Sequence, residues 1–177
     1  SPRTVLGREF LPKEGSYIIA SNHRSNLDPL LIGLSVQRRI CYMAKEGLFR
    51  NKIMRFLLNR VEAFPVRRGS SDIRAVRETL RRLKKGLPVL MFPEGTRKAS
   101  VADMKTQSGL GFLAIKGNVP VVPAYIRDSD KVLPPGTKLP KRNHVTVSFG
   151  EPLSFTQGQP YSEIVVRIME KIQALSE

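Results

Sequence analysis

The sequence holds one cysteine, no tryptophan and two histidines in 177 residues. A lone Cys41 excludes a disulfide framework and a cysteine-ligated zinc cluster within the chain. It lies in the strand-like stretch RRICYMA and is expected to be a buried apolar thiol. No apolar run approaches the roughly 18 residues that a spanning helix needs, and no signal-peptide pattern opens the chain. The sequence starts at Ser1 without a methionine, so an anchor ahead of Ser1 stays an open alternative. Acidic residues are scarce: 15 Asp+Glu face 30 Lys+Arg, a net +15. The excess is uneven, with 21 basic against 8 acidic residues in positions 1 to 100, and 9 against 7 in the remainder. Such a field favours nucleic acid, phosphorylated small molecules or an anionic bilayer. Nucleic acid has little support beyond charge: aromatics are 7% and no helix-turn-helix, zinc finger or aromatic-rich basic strand occurs. The G-x-S-x-G elbow of a serine hydrolase is also missing.

What is present is a core-forming chain, 41% hydrophobic, long enough for one domain over residues 1 to 177. The patterning predicts strands at 16 to 21, 40 to 44, 61 to 66, 87 to 92, 119 to 126 and 144 to 149. Helices are predicted near 29 to 36, 46 to 59, 71 to 85, 106 to 116 and 161 to 175. This alternation predicts an α/β layered fold, a mostly parallel or mixed sheet flanked by helices, with a site at the strand-end turns. In the third helix Ile73, Val76, Leu80 and Leu83 form the expected buried stripe and Gly86 the stop. The last helix carries Ile164, Ile168, Ile172 and Leu175 on one stripe. GLFRNKIMRFLLNR, 47 to 60, sets Phe49, Ile53, Phe56 and Leu57 among four cations. Core packing is expected for this stripe, with seating on a lipid surface as the alternative.

SNHRSNLDPLLIG, residues 21 to 33, interrupts two apolar runs with a polar turn. Two readings fit it. Asp28 before Pro29 is a strong helix start, with the carboxylate as cap and His23 as a turn residue. Alternatively the carboxylate caps with one oxygen and accepts the His23 N–H with the other, which makes a general base and its orienter. Two further polar turns leave strand ends: FPVRRGSSD, 64 to 72, with Ser70, Ser71 and Asp72 as candidate caps, and FPEGTR, 92 to 97. Three such turns on one sheet edge would bring a base, a carboxylate and several cations together, and cations at a site edge suit phosphate.

NHRSNLD, FPVRRG, FPEGTR and VPVVPAYI, in this order, resemble the four blocks of the glycerolipid acyltransferases, whose best-known members are the lysophosphatidic acid acyltransferases. MAKEGLF (43 to 49) and residues 104 to 123 are similar too, so the resemblance covers most of residues 16 to 150. It implies His23 as general base on an acceptor hydroxyl and Asp28 as its orienter. It further implies Lys45, Arg68 and Arg97 on the acceptor phosphate, Glu94 at the glycerol, Gly95 and Thr96 of the same block as substrate-binding residues, and an acyl-binding region at Val119, Pro120, Val121, Val122 and Pro123. The implied donor is an acyl-CoA or acyl carrier protein thioester, used without a bound cofactor or metal. The implied product is phosphatidic acid for phospholipid biosynthesis; glycerol-3-phosphate or another lysophospholipid is the competing acceptor. Arg67 replaces an acidic or neutral residue of the second block and gets no firm role. The partners implied are a lysophospholipid and an anionic membrane surface, with peripheral attachment at the cytoplasmic face and no nucleic acid.

Overall fold

The computed structural model describes residues 2–67, 72–93, 104–134, 137 and 139–177. Its frame is a mixed seven-stranded sheet: β1 (Arg3–Leu6), β2 (Ile18–Ser21), β3 (Cys41–Lys45), β4 (Ala63–Val66), β5 (Val89–Met91), β6 (Val121–Arg127) and β7 (Val145–Phe149), in the order β1-β7-β6-β2-β5-β3-β4. The pairings are parallel except for β6 with β7. Helices α1 (Asp28–Ser35), α2 (Lys52–Arg60), α3 (Ile73–Lys84), α4 (Met104–Gly117), α5 (Ser129–Val132) and α6 (Tyr161–Ala174) fill the connections. The α/β layered expectation is met.

β2 explains the two-sided core. Its residues are all buried because it is a central strand covered on both faces. Tyr17 and Ile19 point to one face and Ile18 and Ala20 to the other, as the two-residue period of a strand requires. The first face is closed by Ile32 and Val36 at α1, together with Val122, Ile126, Val147 and Phe149. The second is closed by Leu83 of α3, Leu110 and Leu113 of α4, and Ile164, Ile168 and Ile172 of α6. Cys41 is buried as expected, and Arg82 crosses to it, donating to its Sγ at 3.2 Å and to the Glu62 carbonyl at 3.1 Å.

Four details depart from the patterning. β1 is an extra strand, paired only with β7. Residues 46 to 59 are two elements: a 3₁₀ turn, Glu46–Arg50, and then α2, restarted by Asn51, whose Oδ1 accepts from Ile53 N and Met54 N at 3.0 Å each. Ile73 leaves the buried stripe of α3 and is exposed; Ala75, Thr79 and Leu83 are the buried positions. Ile73 sits at the first helical position, before the stripe reaches the sheet, and Asp72 caps the helix through Arg74 N and Ala75 N. Ser70 and Ser71, the other candidate caps, lie outside the described residues. The largest departure is α2, for which core packing is overturned: the helix buries no side chain, and Ile53, Phe56 and Leu57 are exposed.

Candidate active site

Because β2, β3, β4 and β5 run parallel, their carboxyl ends share one edge of the sheet, where open α/β sheets gather ligands. The register sets what is level there. Ala20 pairs with Met91, so the turn after Ser21 lies beside Phe92, while Lys45 pairs with Val66 two strands away. At about 4.8 Å per strand, Lys45 stands about 10 Å from the His23 strand.

The His23 turn is built around one oxygen. Asp28 Oδ2 accepts from His23 Nδ1 at 2.9 Å, from Arg24 N at 2.7 Å and from Ser25 N at 2.8 Å. The carboxylate is fully buried and its Oδ1 meets no donor among the described residues. This corrects the cap reading: Asp28 makes no side-chain bond to the helix it opens, and Pro29 alone supplies the helix-start chemistry. The physical reason is that the carboxylate turns back over the loop, where three donors converge on it. With Nδ1–H donated to a carboxylate, Nε2 is the ring atom left to accept a proton.

Two neighbours that sequence reasoning missed hold this turn in place. Asn22 reads the end of β6 like a strand, donating Nδ2 to the Ile126 carbonyl at 3.0 Å and accepting from Ile126 N at 2.7 Å. Phe92 stacks on the His23 ring with centroids 4.1 Å apart and planes 20° from parallel. Their signals were a polar residue beside the histidine in a buried stretch and the aromatic that opens FPEGTR. The negative face of the aromatic ring is thus turned to the imidazole.

The remaining predicted residues divide into three groups. Lys45 is exposed at the end of β3 on the same edge. Arg68, Glu94, Gly95, Thr96 and Arg97 lie outside the described residues. Val119 and Pro120 lead into β6, and Val121, Val122 and Pro123 are its first residues, with Pro123 level with Ala20. Val121 is level with Ile18, at the opposite end of β2 from His23, and Val121 and Val122 are wholly buried in the two core layers. Packing β6 against β2 is what the structure has these valines do. Arg67 donates to Glu46 at 2.8 Å, and Arg74 approaches the same carboxylate at 3.8 Å, so Arg67 braces β4 against the turn after β3. The Glu46 hydrogen bond raises the already high Arg67 pKa further. Among the described residues no group of three or more His, Cys, Asp or Glu is placed to hold a metal ion.

An imidazole braced by a buried carboxylate thus stands at the carboxyl edge of the sheet, with exposed Lys45 on the same edge. The acyltransferase family model matches residues 2–127, and the chain belongs to this family; it is an O-acyltransferase. Among its relatives, a 1-acyl-sn-glycerol-3-phosphate acyltransferase of Bacillus subtilis is 32% identical over 150 residues, covering 84% of this chain and 72% of the relative. Another protein of that name, from Streptococcus pneumoniae, is 26% identical over 93% of this chain, which spans 62% of its length. The crystal structure of the 1-acyl-sn-glycerophosphate (LPA) acyltransferase PlsC from Thermotoga maritima superposes with a TM-score of 0.77 at 24% identity, covering 99% of this chain and 73% of that one, a likeness of fold.

Proposed function

We propose that residues 1 to 177 form one acyltransferase domain that moves a fatty acyl group from acyl-CoA or acyl carrier protein to the free hydroxyl of 1-acylglycerol-3-phosphate, giving phosphatidic acid. The observation that carries the reading is the 2.9 Å contact from His23 Nδ1 to buried Asp28. His23 Nε2 takes the proton of the acceptor hydroxyl as its oxygen attacks the thioester carbonyl. The C–O bond forms, the C–S bond breaks, and the imidazolium returns the proton to the departing thiolate. Asp28 keeps Nδ1 protonated and stabilises the transient cation, and the Phe92 face adds to this. No covalent acyl-enzyme is required.

Lys45 supplies a point charge to the acceptor phosphate, and Arg68 and Arg97 are its proposed companions, with Glu94 at the glycerol and Gly95 and Thr96 as further substrate-binding residues. The names of the relatives support the choice of acceptor. No described helix is long and apolar enough to cross a membrane. The domain acts from the cytoplasmic face as a peripheral protein on an anionic surface, consistent with the 21 basic against 8 acidic residues of its first 100 positions. The test is the purified chain with a panel of lysophospholipids and glycerol-3-phosphate, each with acyl-CoA and acyl carrier protein thioesters, read by mass spectrometry of the lipid product. Phosphatidic acid as the main product supports the reading. Preferential acylation of glycerol-3-phosphate or of a phosphate-diester lysolipid overturns the choice of acceptor.

A further inference from the structure

A helix in a water-soluble domain holds its place by burying an apolar stripe. Among the described α-helices α2 alone buries nothing. Its stripe exists but faces outward: Ile53 is 74% exposed, Phe56 57% and Leu57 52%. Leu58 is the only half-buried residue of the helix. At about 100° per residue, Ile53, Phe56 and Arg60 fall on the side away from Leu58. Leu48 before the helix and Val61 after it are exposed as well.

Charge narrows the occupant of this face. From Gly47 to Val61 the chain carries Arg50, Lys52, Arg55 and Arg60 and no Asp or Glu. The Arg60 guanidinium lies 5.0 Å from the centre of the Phe56 ring, so cation and aromatic share one patch. Bulky apolar side chains among unopposed cations match an interfacial helix, whose apolar face enters the acyl boundary while the cations meet anionic headgroups. The position fits too. The 3₁₀ turn leaves β3 directly after Lys45, so α2 begins at the edge that carries the candidate active site.

We propose that α2 is the membrane-docking element of this chain, seating Ile53, Phe56 and Leu57 in an anionic bilayer and so holding the site edge at the lipid surface. The proposal deepens the reading of the acceptor as a membrane lipid and rests on it for its purpose, though docking is measured separately from catalysis.

The absence of tryptophan provides the test, because Phe56→Trp introduces the chain's only indole. Its emission is expected to lie to the red in buffer, to shift blue on adding phosphatidylcholine vesicles that contain phosphatidylglycerol, and to be quenched by acyl-chain-brominated lipid. Pure phosphatidylcholine should produce little of this, and high salt should reverse it. Ile53→Asp and Phe56→Asp should keep the wild-type melting temperature while lowering the vesicle partition coefficient about ten- to a hundredfold. Unchanged partitioning in both variants overturns the proposal. So does indole emission that is already blue in buffer and follows protein concentration, which would assign the face to a second copy. A large loss of melting temperature in both aspartate variants also overturns it, because it would make the face structural. Transfer to a short-chain acceptor that stays monomeric, run in parallel, should survive Phe56→Asp. If wild-type shows no such transfer the functional reading fails while docking stands, and transfer without vesicle binding has the opposite meaning.

Discussion

Replacing Asp28 by asparagine removes one charge and adds two N–H donors at a fully buried position. If the asparagine Oδ1 takes over the three bonds now made by Oδ2, its Nδ2 falls where Oδ1 stands, an atom with no hydrogen-bonding neighbour among the described residues. A buried donor left unpaired costs about 1–3 kcal/mol, which for a chain of this size lowers the melting temperature by roughly 2–12 °C. The chemical loss is separate. A hydrogen bond to a charged group is worth about 1.5–3 kcal/mol, and here it stabilises the imidazolium that forms only during the reaction. Losing it lowers kcat about 10- to 150-fold with the acceptor KM little changed. The assay pairs thermal melts with initial rates measured well below the variant's melting temperature. Asp28→Asn with wild-type kcat would refute the reasoning, whatever its stability, because the carboxylate would then be only a scaffold for the Arg24 and Ser25 amides. A variant that melts as wild-type does would refute the burial argument.

Phe92→Leu keeps the volume of the site but removes the ring face from His23, and a two- to fivefold fall in kcat at nearly unchanged melting temperature is expected, about 0.5–1 kcal/mol. Gly33→Ala would set a Cβ 2.0 Å from the Tyr42 hydroxyl, whose pKa burial pushes up to about 12. Such overpacking costs about 1–3 kcal/mol; differential scanning calorimetry should show it, and Tyr42→Phe in the same chain should recover part of the loss. Lys45→Ala should raise the KM of a phosphate-bearing acceptor about tenfold and leave that of the acyl thioester nearly unchanged, measured by varying one substrate at a time.

The sheet core was legible because its central strands are largely buried: YIIAS and LPVLM read as strands on apolar runs alone, and the turns between them as strand-end loops. β1 was not, since RTVL has exposed residues and gains its strand identity only from β7, some 140 residues later. The His23–Asp28 pair was readable from its spacing, but the role of each oxygen was not. Asp-Pro opens a helix by the same residues whether the carboxylate turns forward to cap it or back to gather the Arg24 and Ser25 amides. For residues 119 to 123 the apolar character suits an acyl chain and a central strand equally, and their register, from Val121 beside Ile18 to Pro123 beside Ala20, was not readable from it. For α2, periodicity revealed the stripe and could say nothing of what covers it, because amphipathicity is the same whether the apolar face meets a core or a bilayer.

The most direct test of the account is single-turnover acyl transfer by His23→Ala beside wild-type, with 1-acylglycerol-3-phosphate and an acyl thioester and with phosphatidic acid read by mass spectrometry. The account predicts a rate lower by about 10² to 10⁴, with acceptor binding and melting temperature close to wild-type. Wild-type turnover by a folded His23→Ala protein would contradict it.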